Sequence, residues 1–358
     1  MLYPPSASED LKFAIRRFES GLFEQAGAQL LAILQKNPKD QDALYFLRLV
    51  QRRLAGNSLQ LAPGALPPAA LIWQLDPAGA WERDWLHEVL AGCFTTEAVD
   101  KTWSKMAPVM IVVDNRIVPE KAFYYREAFE AGYRIILVHL SDEAFIDDTG
   151  IYKYCDGVVR NYYSEILAGD ARVHFIPLGC KAGFGGPGGA QKSAPQKSAG
   201  ARKYLWSFAG DAKKSTRAEM LKAMKGVADG YTHLTEGFGS ADALATPAYR
   251  ALLDESVFVP SPCGWSNLES FRTYEALEAG CIPIVETRPG FDYYTALLGA
   301  NPIPAFASWD EAAAFMKKLS MEETEALRVR CAAWWQERKP VIARDTRAFI
   351  SGAFRGPF

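Results

Sequence analysis

Arg272 and Glu275 stand three residues apart in a stretch from Tyr249 to Glu286 that reads YRALLDESVFVPSPCGWSNLESFRTYEALEAGCIPIVE. An apolar strand runs into a Pro/Gly loop. A helix carrying both charged residues comes next, Gly280 closes it, and a second strand begins at once. A guanidinium is a planar fork suited to phosphate oxygens. The start of the helix adds free N–H groups and the positive end of a dipole. Together these parts suit a diphosphate. The competing reading pairs Arg272 with an acid inside the helix layer.

A second group lies in VHLSDE, where His139, Asp142 and Glu143 follow an apolar run. Loops leaving strand ends of an open α/β sheet face the ligand, so an imidazole or carboxylate there could take a proton from a bound hydroxyl. Asp114, ending VMIVVD, is the runner-up, and Ser141-Asp142-Glu143 would equally suit a helix cap. His233 and Thr235, in YTHLTEGF, either flank a nucleotide base or end a strand. Trp265 sits in a loop where it could stack on a sugar, whereas Trp334 and Trp335 read as core. No Asp-x-Asp suited to a metal beside a diphosphate falls near a strand end, Asp147 and Asp148 being adjacent and in a loop. Positive charge is expected from Arg272 and helix N–H groups, with no metal and no cofactor. The glycines from Gly183 to Gly189 lack a dinucleotide fingerprint and a following apolar helix, so a phosphate-binding role is not expected of them.

The elements that must position these residues can be read from periodicity. Residues from about Glu9 to Leu54 form three amphipathic helices, broken at Gly21 and at Asn37-Pro38-Lys39-Asp40. A Pro/Ala/Gly stretch, Leu61 to Ala70, leads to strand-like runs at LIWQL, VMIVVD, RIILVHL, GVVR and VHFIPLG, with helical intervals between several of them. That alternation predicts a parallel, doubly wound sheet. The stretch from Lys181 to Lys203 is too poor in apolar residues to pack and reads as a flexible connection. Beyond it YLWSFAG, SVFVPSP and IPIVE alternate with helices again. The expected units are a helical segment over 1–60, a Rossmann-like unit over 70–180, a linker over 181–203 and a second Rossmann-like unit over 204–358.

The pattern Ser270, Arg272, Glu275, Ala276, Leu277, Ala279, Gly280, Cys281, Ile282, Pro283 closely resembles the donor-binding signature of exostosin-type glycosyltransferases. A weaker likeness extends back to Tyr204 through Phe208-Ala209-Gly210 and Ser215-Thr216-Arg217. The resemblance implies the GT-B fold, two Rossmann-like domains with a cleft between them. It also implies transfer of a sugar from a nucleotide-sugar, a UDP-sugar, to a hydroxyl of a glycan or glycosylated protein. In that setting Glu275 would hold a ribose diol, and Lys214 or Arg217, with the Gly210 turn, the far side of the diphosphate. Retaining GT-B enzymes commonly carry a second glutamate eight positions earlier, where this chain has Asn267, so inversion is expected. Separately, Gly21, Ala26, Leu30, Ile33, Leu34, Pro38, Ala43 and Leu47 resemble about one and a half tetratricopeptide repeats. About three are needed for a free-standing solenoid, so the piece should dock on its neighbour, with recruitment of a protein partner as its other possible task.

Composition narrows the class further. The 358 residues have a formal net charge of −2 with both signs interspersed, which marks no nucleic-acid surface. The six cysteines show no C-x-x-C spacing and are expected to be reduced core thiols. No run approaches the roughly 20 apolar residues of a membrane span, and no basic-then-apolar leader opens the sequence, so a cytoplasmic enzyme of polysaccharide biosynthesis or protein glycosylation is expected. The rival is a non-catalytic scaffold that binds a protein through the N-terminal helices.

Overall fold

The computed structural model describes residues 8–38, 40–54, 68–185, 196–237 and 239–355. Three helices come first: α1 (Glu9–Glu19), α2 (Phe23–Lys36) and α3 (Gln41–Leu54). Ser8 caps α1 by accepting the Leu11 N–H, and Gly21, at a φ of 75°, turns the chain into α2. Leu30, Ile33 and Val50 share one buried cluster with Ile72, Met110 and Phe129 of the neighbouring α/β unit. The helices are thus docked on that unit through apolar burial.

The first α/β unit runs β1 (Ala70–Trp73), α4 (Arg83–Val89), β2 (Thr96–Val99), β3 (Val109–Asp114), α5 (Ala122–Glu130), β4 (Arg134–His139), β5 (Gly157–Arg160), α6 (Glu165–Ala168) and β6 (Val173–Phe175). Its sheet is parallel throughout, in the order β2-β1-β3-β4-β5-β6. Every residue of β3 and β4 is buried, as both faces of a parallel sheet are covered. The strand β2 is not legible in the sequence because TEAV is an edge strand, largely exposed and without an apolar run.

The second unit runs β7 (Tyr204–Asp211), α7 (Arg217–Met224), β8 (Gly230–Thr235), α8 (Thr246–Asp254), β9 (Ser256–Ser261), α9 (Phe271–Glu278), β10 (Ile282–Glu286), α10 (Tyr293–Leu298), β11 (Ala305–Phe306) and α11 (Trp309–Lys318). Its sheet is parallel too, ordered β11-β10-β9-β7-β8. The final helix, α12 (Met321–Arg355), serves both units. Its first half holds the second one, Arg328 donating to the Gly280 carbonyl at 3.3 Å and Lys339 pairing with Glu278 at 2.9 Å. Past Pro340 it lies on the first, where Thr346 meets His174 at 3.1 Å and the Ala353 carbonyl accepts from Arg134 at 3.0 Å. The expected 204–358 unit therefore hands its last turns back to the first sheet, because their apolar face fits there.

The expected 181–203 linker is packed at both ends. Phe184 is buried against Leu253 and Val259. Arg202, also buried, donates to the carbonyls of Leu253, Ser256 and Ala279. Residues 186–195, with most of the Gly183–Gly189 run, lie outside the described residues, as does most of Leu61–Ala70. All six cysteines are free, five of them buried, and Cys180 is half-buried. Trp335 is fully buried, as expected of core, whereas Trp334 is half-exposed and donates to the Ala300 carbonyl. No helix among the described residues is long and apolar enough to cross a membrane.

Candidate functional site

In an open parallel sheet, ligands sit at the carboxyl ends of the two strands from which the chain diverges to opposite sides. In the second sheet these are β7 and β9. A cavity of about 360 Å³ opens there and is walled on its far side by the first unit. Gly210, Lys214, Arg217, His233, Thr235, Trp265, Ser270, Arg272 and Glu275 all line it. Asn267 does not: it is buried, and its side chain accepts the Glu269 N–H at 3.0 Å.

Two guanidiniums dominate the second-unit wall. Arg272 donates to the Ala209 carbonyl at 2.8 Å and lies over the Phe208 ring at 4.6 Å. Arg217 opens α7 and donates to the Asp211 carbonyl at 2.9 Å. Neither forms an ion pair among the described residues, and the buried Nε atoms of both have no hydrogen-bond partner. Arg272 is thus not paired with an acid inside the helix layer. Burial, then repulsion from Arg272, lowers the Arg217 pKa to about 10. Lys214 is lowered as well, first by burial and then by Arg217. A buried cation beside a second one is costly unless an anion joins them.

The glycine at 210 permits this arrangement. Its φ is 145°, and a Cβ there would come within 3.0 Å of Arg272 Nη2. Ser270 occupies the N-cap of α9 in extended conformation, yet its hydroxyl makes no capping bond and is buried without a partner. A capping hydroxyl normally bonds the N–H groups of the first turn. Here that end of the helix is left open toward the cavity. Glu275 lies one turn on from Arg272, buried, and burial raises its pKa against the pull of Arg272. At the mouth Trp265 is 71% exposed, its ring 5.6 Å from the Lys214 ammonium, so it is free to take a ring ligand.

The first unit contributes Trp81, Glu143, Tyr162, Leu178 and Lys181. Of the three groups expected after β4, Glu143 lines the cavity and the other two do not. His139 is buried beneath the sheet edge, its ring nitrogens 2.7 Å from the Tyr152 hydroxyl and 2.9 Å from Asp147. Asp142 is buried against Arg160 at 3.2 Å and accepts the Ile146 N–H, closing the loop much as a cap would. The runner-up Asp114 is buried too, paired with Lys121 at 2.6 Å. Ser141 turns the chain at a φ of 64° after β4, and beyond it Asp142 is held by Arg160 while Glu143 reaches the backbone of the other unit. Tyr162 at the cavity and Ser215 beside Arg217 also hold positive φ without being glycine, a strain that accumulates at functional sites.

Several wall residues were not read from sequence. Lys181, stacked on Trp81 at 4.2 Å, was hidden by its place in the expected linker. Glu269 is fully buried in the signature loop. It accepts the N–H of Leu178 from the other unit at 2.9 Å and the Tyr293 hydroxyl at 2.7 Å, and burial raises its pKa. Its position just before Ser270 was the available signal. Among the described residues no group of three His, Cys, Asp or Glu side chains is placed to hold a metal ion.

Two doubly wound parallel units facing each other across a cavity at their carboxyl edges make up the GT-B architecture. Residues 189–351 match the family model described as the RXYLT1 C-terminal domain, over the same stretch that carries the Ser270–Pro283 signature. Similar solved structures include an α1,3-fucosyltransferase, 11% identical with a TM-score of 0.46, covering 83% of this chain and 95% of that one. An O-GlcNAc transferase of Thermobaculum terrenum is also similar, at 11% identity and a TM-score of 0.46 over 96% and 84%. So is the Anabaena protein HepE in complex with UDP and glucose, at 10% identity and 0.49 over 78% and 98%. No curated protein sequence matches the chain.

Proposed function

We propose that the chain is an inverting glycosyltransferase that moves a sugar from a UDP-sugar to a hydroxyl of a glycan or glycosylated protein. The observation that carries this reading is the Arg217–Arg272 pair. Two guanidiniums, each with a buried Nε that has no hydrogen-bond partner among the described residues, face a cavity beside the open start of α9. A diphosphate supplies the charge and the acceptor oxygens that these groups lack. The matched family, one of xylosyltransferases, supports sugar transfer.

In this reading the acceptor oxygen attacks C1 as the bond from C1 to the diphosphate breaks. The nucleoside diphosphate leaves with the charge, which Arg217, Arg272 and the α9 N–H groups stabilise. The acceptor proton passes to a base. We assign that role to Glu143, the one member of the His139, Asp142 and Glu143 group that lines the cavity. Glu275 takes the ribose diol, His233 and Thr235 flank the base, and Trp265 stacks on the sugar. The positive charge comes from the protein, so no divalent metal and no cofactor enters.

Isothermal titration with UDP, UDP-xylose and other nucleotide-sugars in EDTA tests the reading, beside Arg272→Ala and Glu275→Ala. Micromolar binding that either substitution weakens by tenfold or more is expected. A folded protein that binds none of these ligands would sink the enzyme reading.

A further inference from the structure

A carboxylate oxygen of Glu143, on the first unit, accepts three consecutive backbone N–H groups of the second: Trp265, Ser266 at 2.8 Å and Asn267 at 3.2 Å. Ser266 doubles the tie by donating its hydroxyl to the Glu143 carbonyl at 3.1 Å. Successive amides aimed at one point form a concave anion seat, equally suited to a carboxylate or a phosphate. Gly264 shapes it, since a Cβ there would overlap the Glu143 oxygen.

The seat adjoins the positive wall of the cavity, which Gly264, Trp265 and Glu143 line. Lys214 and Arg217 both interact electrostatically with Glu143, while among the described residues neither Arg217 nor Arg272 forms an ion pair with an acid. A built-in carboxylate therefore sits among the groups assigned above to the diphosphate. Both cannot occupy the same amides, and the dianionic ligand gains more from this wall than one carboxylate does.

We propose that the Trp265–Asn267 amides are a phosphate subsite, filled in the ligand-free protein by Glu143, and that a nucleoside diphosphate binds by displacing it. The proposal rests on the donor-site reading. Displacement breaks the tie at the cleft mouth. The rear contacts remain, where Glu269 holds the Leu178 N–H and the Tyr293 hydroxyl accepts the Tyr163 N–H at 2.8 Å. The mouth then opens to the acceptor with the Glu143 carboxylate released toward it, which imposes a donor-first order. Self-occupation of this kind lowers the apparent affinity for the incoming anion until the competitor is removed.

Titration of wild type and Glu143→Gln with UDP and with uridine separates the outcomes. Gln keeps shape and an acceptor oxygen but removes the competing charge, so UDP should bind about fivefold or more tightly while uridine is unchanged. Unchanged or weaker UDP binding by the variant would overturn the displacement and leave the donor site standing. Failure of UDP to bind either folded protein would overturn both. Hydrogen–deuterium exchange of wild type gives an independent arm that needs no variant. Added UDP should speed exchange over 141–148 while 265–267 stay protected, and slower exchange in both loops would contradict the displacement.

Discussion

Trp85 and Trp335 meet at 5.8 Å between ring centroids, one on α4 of the first unit and the other on α12. The Tyr274 ring of α9 packs on Trp335 at 5.5 Å, and Glu278 accepts the Trp335 indole N–H at 2.9 Å. One fully buried indole thus joins three helices from both units. The cavity walls come from those two units, so this contact sets the spacing of the groups that line it.

Trp335→Ala should cost about 3–5 kcal/mol, the range for emptying a large buried aromatic site. Urea unfolding of wild type should be one transition, and in the variant the midpoint should fall. An unchanged midpoint would show that the two units are held by other contacts.

Gly210→Ala tests whether backbone freedom at the end of β7 serves the site. The added methyl meets Arg272 Nη2 and must adopt a φ of 145°. UDP affinity should drop about tenfold through displacement of the guanidinium, an effect of about 1.4 kcal/mol. Binding equal to wild type would mean that Arg272 can move without consequence.

Glu269 makes stability depend on pH. Its folded pKa is raised by burial, so the carboxyl is protonated in the folded state at pH values where the unfolded chain has already ionised. Its contribution is therefore full below the ordinary carboxylate range and is lost as pH rises through the folded value. Relative to Glu269→Gln, wild type should lose stability on moving from pH 4 upward. Parallel stability curves for the two proteins would refute the assignment.

Much of this arrangement was legible from residues near one another in sequence. Apolar runs marked β3, β4, β5, β9 and β10, since a parallel strand is buried on both faces and cannot alternate. The loop–helix–strand unit around Arg272 and Glu275 was readable because helix starts, caps and phosphate-binding forks are short-range chemistry. On that account the residues expected on the donor side line the cavity, all but Asn267. The short strand β11 escaped notice because only two residues pair there.

The loop leaving β4 shows the limit. His139, Asp142 and Glu143 are equivalent as chemistry and adjacent as sequence. They are held apart by hydrogen bonds to Arg160 of β5, to Tyr152, and to amides more than a hundred residues away in the other unit. The same holds for α12, whose sequence does not say that it crosses units, and for Lys181, which composition assigned to a linker. Local propensity, periodicity and capping act within a few residues and so can be read from the chain. Which side chains share a cavity depends on packing between distant segments, and only the folded structure decides it.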